Sequence, residues 1–141
     1  MLLAEGHEVI CCVRDAARFD TSRYKGGRIS VITVNFLDSD TLSVIPGDID
    51  AAYYLIHSMS TTVGEFDSME KQSAVNFRER MNLTQVRQVI YLSGIVNTDK
   101  LSRHLGSRKT VEDELSKGSY HLTTLRAGII PVSYTHLRAH E

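Results

Sequence analysis

Glu8-Val9-Ile10-Cys11-Cys12-Val13 is apolar at every position after its first, so both faces of an extended backbone drawn through it are oily. A strand wetted on one side alternates apolar with polar residues, whereas one that is apolar on both faces belongs in a parallel sheet held between two helix layers. The same signature returns in Ile29–Val34, Ala51–Ile56, Gln88–Leu92 and Leu122–Leu125. Between the third and fourth of these runs, Phe66, Met69, Ser73, Phe77 and Met81 recur at spacings of three and four, which predicts a helix over Glu65–Leu83 with one packing stripe. A second helix is predicted after Leu101-Ser102, with His104, Arg108, Val111 and Leu115 on one face and the basic, glycine-closed turn Lys117-Gly118-Ser119 at its end. Two polar residues on that otherwise apolar face need a reason to be there. Strands alternating with helices in this order predict an α/β fold, a doubly wound parallel sheet.

Composition narrows the function classes. The chain has 141 residues, with 16 Lys+Arg against 17 Asp+Glu for a net charge of −1, and 42% of it is hydrophobic. Such a balance suits one ordinary soluble domain. It gives a nucleic acid no basic face, and no stretch approaches the roughly 20 apolar residues of a membrane span. Neither is expected as a partner. Cys11 and Cys12 are adjacent, so on a strand they point to opposite faces and neither bridge nor form a metal site alone, and a reduced, cytoplasmic setting is expected. Turns such as Lys25-Gly26-Gly27 and Pro46-Gly47-Asp48 punctuate the chain, with no repeat or linker to divide it.

Both termini read as cut. Met1 to Glu5 followed by Gly6 looks like the last turn of a helix with its glycine cap, which implies a preceding segment. Val132-Ser133-Tyr134-Thr135-His136-Leu137-Arg138-Ala139-His140-Glu141 has neither strand nor helix periodicity, and it is what a transposase-type sequencing adapter encodes in one reading frame (GTC TCT TAT ACA CAT CTC CGA GCC CAC GAG). His136 and His140 sit four apart, but no third ligand is nearby in sequence, and no metal site is expected. The expected organisation is a partial domain over residues 1–130 and a non-native tail over 131–141.

Three segments, Ala52-Tyr53-Tyr54-Leu55-Ile56-His57-Ser58-Met59, His104-Leu105-Gly106-Ser107-Arg108 and Leu125-Arg126-Ala127-Gly128-Ile129-Ile130, resemble in their order and spacing the short-chain dehydrogenase/reductase superfamily. The branch they resemble is the atypical NAD(P)-binding one, related to extended epimerase/dehydratase-like and NmrA-like proteins. The resemblance covers roughly residues 1–130. It implies a Rossmann-type sheet lacking its first strand, with a dinucleotide across the carboxyl ends of the strands. None of the nine glycines sits in the family's Gly-x-x-Gly-x-x-Gly phosphate turn, so weak cofactor binding by this chain alone is expected.

The resemblance assigns roles to further positions. Arg14 follows the first predicted strand where the adenosine ribose lies, and a guanidinium there favours the 2′-phosphate of NADP over the bare hydroxyl of NAD. Arg18, one turn on, either assists or is a solvated surface residue, and Asp15 competes as an acceptor for a 2′-hydroxyl. Asn35 and Phe36 stand where adenine is bound, with Asn35 adding donors to the acceptor usual at that place. Leu55, Ile56 and His57 border the path toward the nicotinamide, His57 being equally readable as a structural hydrogen-bonder. Ser93, in Tyr91-Leu92-Ser93-Gly94, matches the family's serine, and His104 and Arg108 replace its Tyr-x-x-x-Lys pair.

In that reading Ser93 orients a substrate oxygen, His104 exchanges a proton near neutrality and Arg108 binds the nicotinamide ribose; the competing reading has His104 and Arg108 bracing the sheet. Glu70 and Glu65 are candidates for a fourth active-site group. The function implied is a fragment of an oxidoreductase or nucleotide-sugar-epimerase-like enzyme acting on an unknown small molecule, itself inactive because incomplete. A non-catalytic, NADP-sensing module of the NmrA kind is the alternative.

Overall fold

The structure is a computed structural model and describes residues 1–24, 26–56, 63–94 and 103–127. Its main elements are β1 (Val9–Val13), β2 (Ile29–Thr33), β3 (Ala51–Tyr54), α1 (Val63–Asn82), β4 (Gln88–Gly94), α2 (Arg103–Leu115) and β5 (His121–Ala127). Short 3₁₀ turns lie at Leu3–Glu5, Ala16–Arg18, Ser22–Tyr24 and Ser39–Val44. The predicted helical turn before β1 is thus present, and Gly6 closes it with φ +85°, a conformation open to glycine at little cost.

All strand pairs are parallel. β1 pairs with β2 from Val9–Ile29 to Val13–Thr33, β3 meets β4 up to Tyr54–Tyr91, and β4 meets β5 from Gln88–His121 to Gly94–Ala127. A parallel pair needs a long crossover, and α1 and α2 supply the two inside β3-β4-β5. Two ladders result, β1-β2 and β3-β4-β5, with no hydrogen bonds joining them among the described residues. β4 and β5 run longer than predicted because their pairing continues through Ser93–Arg126 and Gly94–Ala127, while β3 stops at Tyr54 because its pairing with β4 ends there.

The core lies between one face of β3-β4-β5 and the two helices. Tyr54, Val89 and Tyr91 point into it from the sheet, Ala74, Phe77 and Met81 from α1, and Val111 and Leu115 from α2. The Tyr54 ring meets Phe77 edge-on at 4.9 Å and Tyr91 at 5.8 Å. The opposite face of the sheet is not buried as its apolar sequence predicts: Tyr53 is 53% exposed and Leu125 51%, and Leu55 and Leu92 are exposed beside them. No described helix packs over that side. β1 likewise contributes no fully buried side chain.

α1 and α2 lie side by side, joined at three polar points: Ser107 to Glu70, Arg78 to Glu114, and Ser119, just beyond α2, to Asn82. This packing corrects the predicted face of α2. The buried line runs through Ser107, Val111 and Leu115, and Arg108 falls half-buried on its flank. The reason is chemical: Glu70 accepts the Ser107 hydroxyl, which lets a serine occupy an inward position that polarity alone argues against. The expectations for residues 131–141 lie outside the described residues.

Candidate functional site

Open α/β sheets bind ligands outside the carboxyl ends of their strands, and the chain leaves each ladder there through residues singled out by sequence. β1 ends at Val13 and the next residue is Arg14. Asp15 then starts the Ala16–Arg18 turn, its carboxylate accepting from the Ala17 N–H at 3.0 Å. Arg14 and Arg18 are both exposed, and neither has an ion pair among the described residues. Two guanidinium groups therefore stand without an ion pair, among the described residues, beside an acid that caps the next turn with one oxygen.

At the end of β2, Asn35 is held in a tight local turn. Its Oδ1 accepts from the Leu37 N–H at 3.1 Å, its own N–H donates to Thr41 Oγ1 at 2.9 Å, and the Thr41 hydroxyl is 2.9 Å from the Asn35 carbonyl it donates to. Phe36 turns the other way. Its ring packs 5.9 Å from Phe77, and its carbonyl accepts from Asn76 Nδ2 at 2.7 Å, so this residue docks the end of β2 on α1. After β3, Leu55 is 57% exposed while Ile56 packs against the core. His57 lies outside the described residues.

Ser93, next to last in β4, is 1% exposed, and its Oγ has no hydrogen-bond partner among the described residues. A buried hydroxyl without a partner is costly, which makes it notable in any fold. Nearby, the Tyr91 hydroxyl donates to the Arg108 carbonyl at 3.4 Å. Burial pushes the Tyr91 phenol above its ordinary range, against the opposing influence of the adjacent Ser93 hydroxyl and the Arg108 guanidinium; Ser93 is close to Tyr91 but not aligned into a bond with it. Tyr54 is raised further, by burial first and then by Tyr91 and the Glu70 carboxylate.

Glu70 is itself buried, and the Ser107 hydroxyl donates to its Oε2 at 2.5 Å across the α1–α2 interface. This places Glu70 inside the helix pair, whereas Glu65 is exposed on the first turn of α1. His104 belongs to the first turn of α2, and its side chain, with the expected approach to Ser93, lies outside the described side chains. Sequence reasoning passed over Ser107, Asn76 and the hydroxyls of Tyr54 and Tyr91. One signal was available for the cluster: Glu70 precedes Ser73 and Phe77 by three and seven residues, on the stripe already identified.

Among the described residues no group of three or more His, Cys, Asp or Glu is placed to hold a metal ion, and no helix is long and apolar enough to cross a membrane.

No family model matches the chain, and neither does any curated protein sequence. Solved structures do resemble it. A triphenylmethane reductase of a Citrobacter species, in complex with NADP(H), superposes with a TM-score of 0.76 at 13% identity, over 97% of this chain and 47% of that one. A protein of Bacillus halodurans named as an NAD-dependent epimerase/dehydratase gives 0.70 at 20% identity, over 90% of this chain and 61% of its own. The Bordetella bronchiseptica enzyme WbmG, in complex with NAD and UDP, gives 0.68 at 14% identity, over 88% and 46%. The fold is therefore the Rossmann-type α/β fold found in these reductase and epimerase structures, and the chain spans about half the length of most of the structures it resembles.

The donor set suits one half of a dinucleotide. Exposed guanidinium groups at Arg14 and Arg18 and the turn-held Asn35 amide offer donors beyond the carboxyl ends of β1 and β2. The sequence holds no glycine-rich cradle for a pyrophosphate.

Proposed function

We propose that this chain is the adenosine-binding part of an NAD(P)-dependent oxidoreductase or nucleotide-sugar-epimerase-like enzyme, and that it takes NADP in preference to NAD. The observation that carries the cofactor choice is the pair of exposed guanidinium groups at Arg14 and Arg18, beyond the end of β1. A site for NAD uses an acidic residue to accept from the ribose 2′-hydroxyl. Here one Asp15 oxygen caps the Ala17 N–H, while Arg14 and Arg18 carry no ion pair among the described residues. A planar, permanently charged fork is the group that binds a phosphate dianion in two-point fashion. The fold likeness to structures complexed with NADP(H) and with NAD supports dinucleotide binding, without choosing between the two.

In this reading Leu55 and Ile56 supply the apolar floor after β3, with His57 following them. Ser93 orients the oxygen of a small-molecule substrate, His104 exchanges its proton near neutral pH, and Arg108 holds the nicotinamide ribose. When bound, the nicotinamide supplies the hydride chemistry. The buried Ser93 hydroxyl, which has no hydrogen-bond partner among the described residues, favours an enzyme over a purely sensing module, because a substrate oxygen would satisfy it.

The test uses a half-ligand that needs no pyrophosphate cradle. Titrated into the chain and followed by NMR, adenosine 2′,5′-bisphosphate is expected to bind roughly 10–100-fold tighter than adenosine 5′-phosphate, the size of a charge-assisted contact. Arg14→Ala should remove most of that difference. Equal binding of the two nucleotides, or a preference that survives the substitution, overturns the NADP assignment.

A further inference from the structure

Each of the two ladders ends in an unpaired strand. β1 and β3 form no ladder with each other and are not neighbours along their lengths. Both ladders nevertheless rest on one core: the Phe77 ring packs against Phe36, beyond β2, and against Tyr54 at the end of β3. Their order follows from handedness. The Ser39–Val44 turn between β2 and β3 buries Leu42 in the core shared with α1 and α2, so three successive connections cross the same face. Right-handed crossovers then carry β2, β3, β4 and β5 across the sheet in one direction. The two turns between β1 and β2 bury nothing in that core and run over the opposite face, which sends β2 outward and leaves β1 facing β3.

The ladder bonds show which peptide groups look into the space between them. The Val9 N–H donates to the Arg28 carbonyl and the Val13 carbonyl accepts from Val34, so Val9, Cys11 and Val13 turn their peptide groups toward β2. Ile10 and Cys12 turn theirs away. In β3 the Asp50 carbonyl accepts from the Arg87 N–H, so Ala52 and Tyr54 face β4 while Ala51 and Tyr53 face away. Ile10, Cys12, Ala51 and Tyr53 each bring an N–H and a C=O to the facing edges, without a partner among the described residues. The side chains alongside are oily: β1 is apolar throughout yet fully buries none, and Tyr53 is exposed.

Unpaired strand edges are templates for another strand. We infer that the space between β1 and β3 is a binding site for an extended peptide of apolar, β-branched residues, which pairs through its backbone with both edges at once. The inference is independent of the dinucleotide reading. On the outer edges of β2 and β5 such a peptide finds partners along one side only. Between β1 and β3 both of its sides are used, which doubles the backbone bonds each residue pair contributes.

The test titrates the whole chain with acetyl-Lys-Lys-Val-Ile-Val-Ile-Val-Lys-Lys-amide, followed by NMR and amide hydrogen exchange. At about ten times its Kd the peptide should slow exchange about tenfold at Ile10, Cys12, Ala51 and Tyr53, the limit set by occupancy. Leu122 and Thr124, whose amides point to the outer edge of β5, should be unchanged. Two further peptides carry N-methyl groups on alternate members of the apolar run, one on the odd positions and one on the even. Each should bind at least about tenfold more weakly, because each loses its hydrogen bonds to one of the two edges. A peptide on a one-sided edge turns its methylated side to water and keeps its affinity, and that result overturns the inference. So does failure of the unmodified peptide to bind, protection confined to the outer edges, or exchange at Ile10, Cys12, Ala51 and Tyr53 that is already slow before peptide is added.

Discussion

Ser107→Ala removes a single oxygen from the α1–α2 interface, and its cost tests whether the buried Glu70–Ser107 contact organises the helix pair. The hydroxyl is buried, and it donates at 2.5 Å to a carboxylate that is also buried. Hydrogen bonds to charged groups contribute about 1.5–3 kcal/mol, because the charged partner loses a specific donor where water is scarce. Ser107→Ala should therefore destabilise by about 2 kcal/mol. Glu70→Ala should cost somewhat more, since it also removes packing beside Tyr54 and Tyr91.

The informative quantity is the coupling. Once Glu70 has been replaced, the Ser107 hydroxyl has lost that acceptor, and removing it should cost little further. Urea unfolding of the wild type, both single variants and the double variant gives the cycle, with an unchanged m-value showing that the native state stays compact. An interaction energy of about 1.5 kcal/mol is expected. Additivity within about 0.5 kcal/mol would refute the claim that this contact fixes α2 against α1.

Glu114 sets part of the acid limit of stability. The Lys117 ammonium, 2.8 Å away, and the Arg78 guanidinium hold its carboxyl below the ordinary value of 4.5. The associated stability is present above that value and is lost as pH falls through the lowered native one. Glu114→Gln should cost about 1 kcal/mol at pH 7 and converge with the wild type as pH falls through the lowered native value, as read from urea midpoints measured downward from neutral pH. On the two faces of the sheet, Leu115→Ala should cost about 2–5 kcal/mol because Leu115 is fully buried, whereas Leu125→Ala on the open face should cost under about 1 kcal/mol; equal costs in thermal unfolding would mean that the open face is covered.

The strands were legible in sequence because β-branched and aromatic runs such as Ile29–Thr33 and Ala51–Tyr54 have few other uses, and the long helix because Ser73, Phe77 and Met81 keep strict spacing. The orientation of α2 was not legible. Its true inward line includes a serine, and a serine reads as buried only when its acceptor, 37 residues away on another helix, is known. The open face of the sheet was hidden for the complementary reason: apolar residues record what a strand can tolerate, and Tyr53 and Leu125 lack a described helix that would use it. At the site, Arg14 was legible as a free cation, but the engagement of Asp15 and of the Asn35 oxygen arises from backbone turns that a residue list does not display.

The absence of fully buried side chains on β1 has a dynamic consequence. Elements that bury little apolar surface open at low free-energy cost, well below global unfolding, and exchange their amide hydrogens first. Val9–Val13 should thus breathe while β3-β4-β5, α1 and α2 stay protected around Tyr54 and Leu115. Arg14 rides on the end of that breathing strand, so an anion that engages it selects the closed form. Ligand occupancy would be recorded as slowed hydrogen exchange along β1, several residues from the nearest contact.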